Sequence, residues 1–305
     1  MENDPRVNDV DEFERHRARL FGIAYRMLGT VEDAEDVLQE TYLRWHQADA
    51  AAVRNPEAWL VAVATRLSID ALRRATAERE RYVGAWLPEP IATDPPSATD
   101  RRAEMASDLS MAFLVLLERL APEERAALLL RDVFNTDYGE IARVLEKSEA
   151  ACRQLVHRAR MRVRGDRARF TVSPETRERL LDRFLAALRS DDQDTLLALV
   201  GEDATWTSDG GGKTPSVRRV VRGASRVVRL LLGLERKGRG MVRHEVAWIN
   251  GEPAVATYVG DRLVFTTSVD SDGERLIAFY RVLNPEKLRH ATAGTHGPGT
   301  DTSGP

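Results

Sequence analysis

The chain has 305 residues, enough for two or more compact units, and its 43% hydrophobic and 30% charged content excludes a wholly disordered protein. No apolar run approaches the roughly 18 residues of a membrane span, the polar start from Met1 to Val10 does not read as a signal peptide, and a lone cysteine, Cys152, excludes an intrachain disulfide framework. The net charge of −3 does not exclude nucleic acid, because clustered arginines can form a local basic footprint on an acidic protein.

From Asp11 to Glu80 apolar residues recur at helical spacing, with one expected break around Asp49 to Asn55. Within this segment, Asp33 to Trp45 predicts an amphipathic helix carrying Asp36, Gln39, Glu40 and Leu43 on one face. Asn55 is placed to cap the next helix and Pro56 to open it. Trp59, Leu60, Val63 and Leu67 are the expected buried stripe of that helix. Arg66, Asp70, Arg73 and Arg74 fall on its other side, a basic stripe suited to phosphates. An aromatic side chain near such a stripe can also stack on unpaired bases, although Trp59 reads first as core.

Residues 81–100 shift to a Pro-rich linker holding Trp86-Leu87-Pro88-Glu89-Pro90. Helical spacing returns over 101–170. Tyr138 to Leu145 predicts a short helix, Glu146-Lys147 a tight turn, and Ser148 the cap of a second helix running to Arg160. Leu155, Ala159 and Val163 should face inward, and Arg153, Gln154, His157, Arg158 and Arg160 outward. Two helices joined in this way predict a helix-turn-helix, whose second helix reads base edges in the major groove. Arginine suits guanine there and glutamine suits adenine. Cys152 reads as a small packing residue.

After Ser173-Pro174 the pattern predicts a helix over Glu175 to Arg189, a shorter one over Thr195 to Val200, and then strands. Asn250-Gly251 and Asp272-Gly273 each separate β-rich runs, a strong hairpin signal. The expectation for 174–290 is an α+β unit with a curved antiparallel sheet and helices on one side, and for 291–305 a disordered tail. Asp203, Asp209, His244 and Tyr258 are the candidate acid–base groups of this segment, but no spacing joins them into a site.

These pieces, in this order, resemble the extracytoplasmic-function group of sigma factors, the promoter-recognition subunits of bacterial RNA polymerase. The resemblance rests on Asp33-Ala34-Glu35-Asp36, Gln39-Glu40 and Trp45; on Trp59-Leu60, Arg66, Asp70 and Arg73-Arg74; and on Glu140-Ile141-Ala142 with Leu145. It implies two all-α domains, a sigma-2 domain over 1–80 and a helix-turn-helix sigma-4 domain over 101–170, working in the cytoplasm with core polymerase and promoter DNA as partners. Asp33, Asp36, Gln39, Glu40 and Leu43 would bind polymerase. Arg54, Asn55, Trp59, Arg66, Asp70, Arg73 and Arg74 would engage the −10 element. Ser148, Arg153, Gln154, His157, Arg158 and Arg160 would read the −35 element.

The second half resembles a subgroup with a fused SnoaL-like, NTF2-type domain, the sigma-J type. Three motifs carry this: Trp86 to Pro90; Asp209-Gly210-Gly211-Gly212-Lys213; and Asn284-Pro285-Glu286-Lys287-Leu288, where glutamate stands for the subgroup's aspartate. Relatives of this kind favour promoters resembling TGTCACA and CGTC. The expectation is that the last two motifs pack near the linker and set the spacing of the DNA-binding domains. No enzymatic activity, metal or cofactor is expected. An unknown small ligand or signal protein would be the further partner of the fused domain, and a working isomerase or cyclase there is the alternative.

Overall fold

The computed structural model describes residues 5–48, 53–95, 109–163 and 172–292, with side chains from residue 10 onward. Residues 96–108, most of the expected 291–305 tail and the ends of the other segments lie outside the described residues.

The first segment folds as three helices, α1 (Pro5–Leu28), α2 (Val31–Gln47) and α3 (Pro56–Arg79). The expectation of a single break near residue 50 is therefore corrected. A second break falls at Gly29-Thr30, where Gly29 adopts φ +78° and Thr30 caps α2 by accepting from the Asp33 N–H. A side chain at Gly29 would meet the Trp86 ring, with Cβ 2.5 Å from its edge. Asn55 caps α3 through Oδ1, which accepts from the Ala58 N–H at 3.0 Å, and Pro56 starts it.

The next segment contains α4 (Met111–Leu117), α5 (Pro122–Leu128) running into a π turn over Leu129–Val133, α6 (Tyr138–Leu145) and α7 (Glu149–Val163). Between α6 and α7 the chain turns at Glu146, which takes φ +53°. Ser148 Oγ accepts from the Ala151 N–H at 3.2 Å, so the helix-turn-helix is capped where expected. Ile141, Val144, Cys152, Leu155, Val156, Ala159 and Val163 are buried in its core. The apolar cores of the two helical segments merge into one cluster, running from Phe13 and Leu60 to Leu128 and Val156.

The C-terminal unit begins with α8 (Pro174–Arg189) and α9 (Gln193–Leu199) and continues as β1 (Val200–Asp209), β2 (Val221–Arg222) and α10 (Ala224–Gly238). Four strands follow, β3 (Arg243–Ile249), β4 (Glu252–Val259), β5 (Arg262–Ser271) and β6 (Leu276–Val282). A 3-10 turn, Pro285–Leu288, comes last. The sheet order is β2-β1-β6-β5-β4-β3, and β1 pairs with β6 in parallel. The sheet is therefore mixed, which corrects the antiparallel expectation. Helix α10 and strands β2 to β5 intervene between β1 and β6, a long connection that lets the chain re-enter the sheet in the same direction. Asn250 and Gly251 both take positive φ, as a two-residue hairpin requires. One face of the sheet packs on α8 to α10 through Leu181, Phe184, Trp206, Val227, Leu231 and Phe279. Its other face meets the linker and α4, where Leu87 and Met111 pack with Ile249, Ala254, Val282, Leu288 and Ala291.

Candidate functional site: nucleic-acid face, docking face and linker seam

Helix α2 turns its apolar side (Ala34, Val37, Leu38, Thr41 and Trp45) into the core. Asp36, Gln39 and Leu43 are left exposed, and among the described residues Asp36 and Gln39 make no hydrogen bond or ion pair. Asp33 is committed locally, accepting from the Thr30 hydroxyl at 2.5 Å, and Glu40 pairs with Arg44 at 2.8 Å.

The buried stripe of α3 is Leu60, Val61, Ala64, Thr65, Ser68, Ile69 and Leu72. Of the four residues expected there only Leu60 is fully buried. Trp59, Val63 and Leu67 are half-buried, because α3 is flanked by α2, α5 and α6 on different sides and its contact arc is wider than a single stripe. Trp59 leans on Trp45 with ring centroids 5.5 Å apart. Trp59, Arg54, Asn55 and Arg66 line one wall of an open groove of about 960 Å3, with Phe134, Glu140 and Arg143 on the other wall.

Arg54 and Arg74 are exposed. Arg66 reaches across to the helix-turn-helix, donating from Nε to the Val144 carbonyl and from Nη2 to the Arg143 carbonyl, both at 2.8 Å. These are orphan carbonyls at the C-terminal end of α6, where a cation is favoured. Arg73 is shared by Asp70 and Glu123, each at 3.1 Å. In this arrangement two residues of the expected −10 stripe are held by the neighbouring segment.

Arg153, Gln154, His157, Arg158 and Arg160 are all exposed on α7. Arg153 pairs with Glu149 at 2.7 Å and lies over the Tyr138 ring, Arg158 meets Glu124 at 3.1 Å, and Arg160 forks onto Asp132. Gln154 and His157 are free of hydrogen bonds and ion pairs among the described residues. Cys152 is buried, and burial pushes its thiol pKa up, as a packing role requires.

The linker motif is threaded between the first helices and the C-terminal sheet. Leu87, Pro88, Glu89 and Pro90 are buried. Asp209 is fully buried and takes hydrogen bonds from the Leu87 N–H at 2.9 Å, the Tyr82 hydroxyl at 2.6 Å and the Gly211 N–H at 3.0 Å. Lys287 Nζ donates to Asp209 Oδ2 at 2.8 Å and to the Leu87 carbonyl at 2.6 Å, 4.1 Å from the Trp86 ring centre. Burial pushes the Lys287 ammonium down to about 8 against the upward pull of Asp209.

Asn284 donates to Tyr82 Oη at 2.9 Å, and Lys213 pairs with Glu286 at the rim, close to exposed Pro285. Gly211 sits at φ +60° against Asn284 and Tyr82, so a Cβ there would collide with both. Gly210 lies beneath the loop, and Gly212 passes over Val83.

Further along, Glu89 accepts from the Val31 N–H at 2.9 Å and meets His290 Nδ1 at 2.6 Å. The Asn250 hairpin tip donates to Tyr25 Oη and exchanges two hydrogen bonds with Ile91. Ala291 is buried in the adjoining cluster, so the last segment is packed one residue further than the expected start of the tail at 291.

Residues 13–78 match the Sigma-70 region 2 family model, and residues 110–163 match Sigma-70, region 4. The chain is 41% identical over 293 residues to the ECF RNA polymerase sigma factor SigJ of Mycobacterium tuberculosis, covering 92% of this chain and 93% of that protein. The crystal structure of the M. tuberculosis SigJ superposes with a TM-score of 0.74 at 38% identity, over 92% of this chain and 99% of that one. The chain belongs to the extracytoplasmic-function RNA polymerase sigma factors.

A second relative, the probable sigma factor SigI of M. tuberculosis, is 28% identical over 286 residues, covering 90% and 92% of the two chains. This sigma factor directs RNA polymerase to promoters and initiates transcription, with core polymerase and promoter DNA as its partners. Among the described residues no helix is long and apolar enough to cross a membrane.

The four candidate acid–base groups of the C-terminal unit of this sigma factor do not converge. Asp203 is exposed, and Asp209 faces the linker. His244 lies between Glu235 and Thr257 on the helix-covered face, while Tyr258 stacks under Arg243. Sequence reasoning missed Tyr25 and Asn250, which bind the linker, and Tyr82 of the linker itself, which bonds to Asp209 and Asn284; none belongs to the three motifs. The Asn250-Gly251 turn signal placed that hairpin but could not show that its tip would be buried.

It also missed Arg177, which is 1% exposed and pairs with Glu252 at 2.5 Å and Asp270 at 3.9 Å. Burial, with Asp270 nearby, pushes Glu252 up to about 7 despite Arg177. A carboxyl whose folded value exceeds its unfolded value of about 4.5 binds the extra proton in the folded state. Its contribution to stability therefore rises as pH falls from about 7 to about 4.5. Thermal unfolding across this window should show Glu252→Gln removing about 1–3 kcal/mol of pH dependence; an unchanged slope would place the proton elsewhere.

Proposed function

We propose that this sigma factor is regulated in cis, its C-terminal NTF2-like unit holding the linker and thereby the relative placement of the two DNA-binding segments. The observation that carries the reading is the Asp209–Lys287 pair, which clasps both the N–H and the carbonyl of Leu87 in a buried setting. A Pro-rich linker cannot fix a spacing by its own hydrogen bonds, because prolines lack donors. Here its backbone groups are bonded instead to the C-terminal unit.

On this reading Asp36, Gln39 and Leu43, flanked by Asp33 and Glu40, dock core polymerase. Arg54, Asn55, Trp59, Arg66, Asp70, Arg73 and Arg74 engage the −10 region, and Gln154 and His157, with Ser148, Arg153, Arg158 and Arg160, engage the −35 region. Arg66 and Arg73 must exchange their present partners for DNA, so promoter engagement is coupled to separation of α3 from α5 and α6. The protein works in the cytoplasm with the polymerase and supplies no chemistry of its own.

The test is in vitro transcription with core polymerase on a promoter carrying TGTCACA and CGTC elements, comparing the full chain with a version ending near Ser173. The truncated chain should still bind core polymerase, since the α2 face is untouched, but its promoter output should change several-fold. Equal output from both versions would sink regulation by the C-terminal unit, and loss of core binding would show that this unit is needed to fold the helices.

A further inference from the structure

On the helix-covered face of the C-terminal sheet, Arg281 of β6 sits opposite Thr267 of β5, beside Trp206 of β1. It is 9% exposed. Its guanidinium carbon lies 4.0 Å from the Phe265 ring centre and 4.4 Å from that of Trp206. Its only side-chain hydrogen bond among the described residues runs from Nε to Thr267 Oγ1 at 3.2 Å, which leaves both terminal nitrogens without an acceptor. No carboxylate stands within ion-pair reach of it among the described residues. Glu235 acts on it only from a distance and is itself bonded to His244 Nε2 at 2.9 Å.

A buried guanidinium without a carboxylate is costly, and folded proteins normally pair such a charge. Among the described residues the other buried arginine of the C-terminal unit, Arg177, is paired with both Glu252 and Asp270. The surroundings of Arg281 are apolar and not sealed. Phe265 and Val246, on β5 and β3, are only half-buried, and the paired His244 and Glu235 side chains beside them are 8% and 14% exposed. A planar fork with free N–H groups, backed by the buried Trp206 ring and beside the partly open Phe265 ring, matches the geometry of a carboxylate attached to a flat apolar body.

We propose that Arg281 anchors a binding site for a small organic carboxylate on this face, with the partly open Phe265 ring packing its apolar part. The carboxylate oxygens would accept from the two terminal nitrogens, and His244 would line the entrance. The site lies on the opposite face of the sheet from the Asp209–Lys287 clasp and does not depend on the regulatory reading. The lowering of the Arg281 pKa by burial, to about 9, agrees with a cation that lacks its counter-ion.

The test uses the full-length protein and benzoate as probe, with neutral benzamide as its isosteric control, read by ligand-observed NMR and calorimetry. Benzoate should bind saturably and at least tenfold more tightly than benzamide. Arg281→Met keeps the length of the side chain but removes the fork, and should abolish the preference for benzoate while melting no lower than the unaltered protein. Arg281→Lys keeps the charge without the fork and should weaken benzoate at least tenfold, which provides a reading if the methionine variant fails to fold. Equal binding of benzoate and benzamide, no saturable binding, or an unaltered benzoate preference in the folded variants would each overturn the assignment.

Discussion

Asp209→Ala should loosen the linker from the C-terminal unit by about 3–5 kcal/mol, the cost of leaving one member of a buried ion pair without its partner. The loss is large because one carboxylate satisfies four donors: the Lys287 ammonium, the Leu87 and Gly211 N–H groups and the Tyr82 hydroxyl. Without it, Lys287 is left 7% exposed against Trp86 with only the Leu87 carbonyl as acceptor. Differential scanning calorimetry should show a lowered first transition. Trypsin should cut near Arg81, which is exposed beside the clasp, several-fold faster than in the unaltered protein. Replacing both partners by apolar residues, Asp209→Leu with Lys287→Met, should cost clearly less than Asp209→Ala alone, because no charge is then stranded. A change under about 1 kcal/mol for Asp209→Ala would mean that the clasp is not what holds the linker.

Asp36→Arg should weaken binding to core polymerase by about 2 kcal/mol or more, roughly 30-fold in Kd, with Tm unchanged. Asp36 is exposed on α2 and makes no hydrogen bond or ion pair among the described residues, so reversing its charge takes nothing from the folded protein. The same change at Asp33 should be less selective. That carboxylate accepts from Thr30, the α2 cap, and its loss costs stability as well as affinity. Fluorescence anisotropy with labelled core polymerase would separate the two positions. Equal affinity for Asp36→Arg and the unaltered protein would remove this face of α2 from the docking surface.

Much of the helical half was legible because its signals are local. The Asn55-Pro56 start, the Glu146 turn and the Ser148 cap are decided by backbone groups within a few residues, and the inward and outward sides of α7 follow from a 3.6-residue period. The β3–β4 hairpin was legible for the same reason, Asn250-Gly251 being among the few pairs that accept positive φ twice. The break at Gly29 was not legible, since a single glycine in an apolar run signals a turn only when a neighbour such as Trp86 demands the space.

Strand β1 and helix α10 were missed on other grounds. Strand β1 opens at Val200, where the helical pattern of α9 gives no stop signal, and its central pairing with β6 is parallel and about 70 residues distant along the chain. Helix α10 carries its apolar stripe between arginines in a segment bounded by glycines, which hid its periodicity.

By itself the sequence determined that two helical segments with sigma-type faces precede an α+β unit, and it singled out the residues of each face. The tertiary structure alone decided that Arg66 and Arg73 are bonded to the neighbouring segment, that Asp209 and Lys287 close on the backbone of Leu87, and that Arg281 is buried without a carboxylate. Caps, turns and periodicity are written in contiguous residues. Which buried charge meets which partner depends on segments 78 to 200 residues apart being brought within 3 Å, and no local pattern encodes that approach.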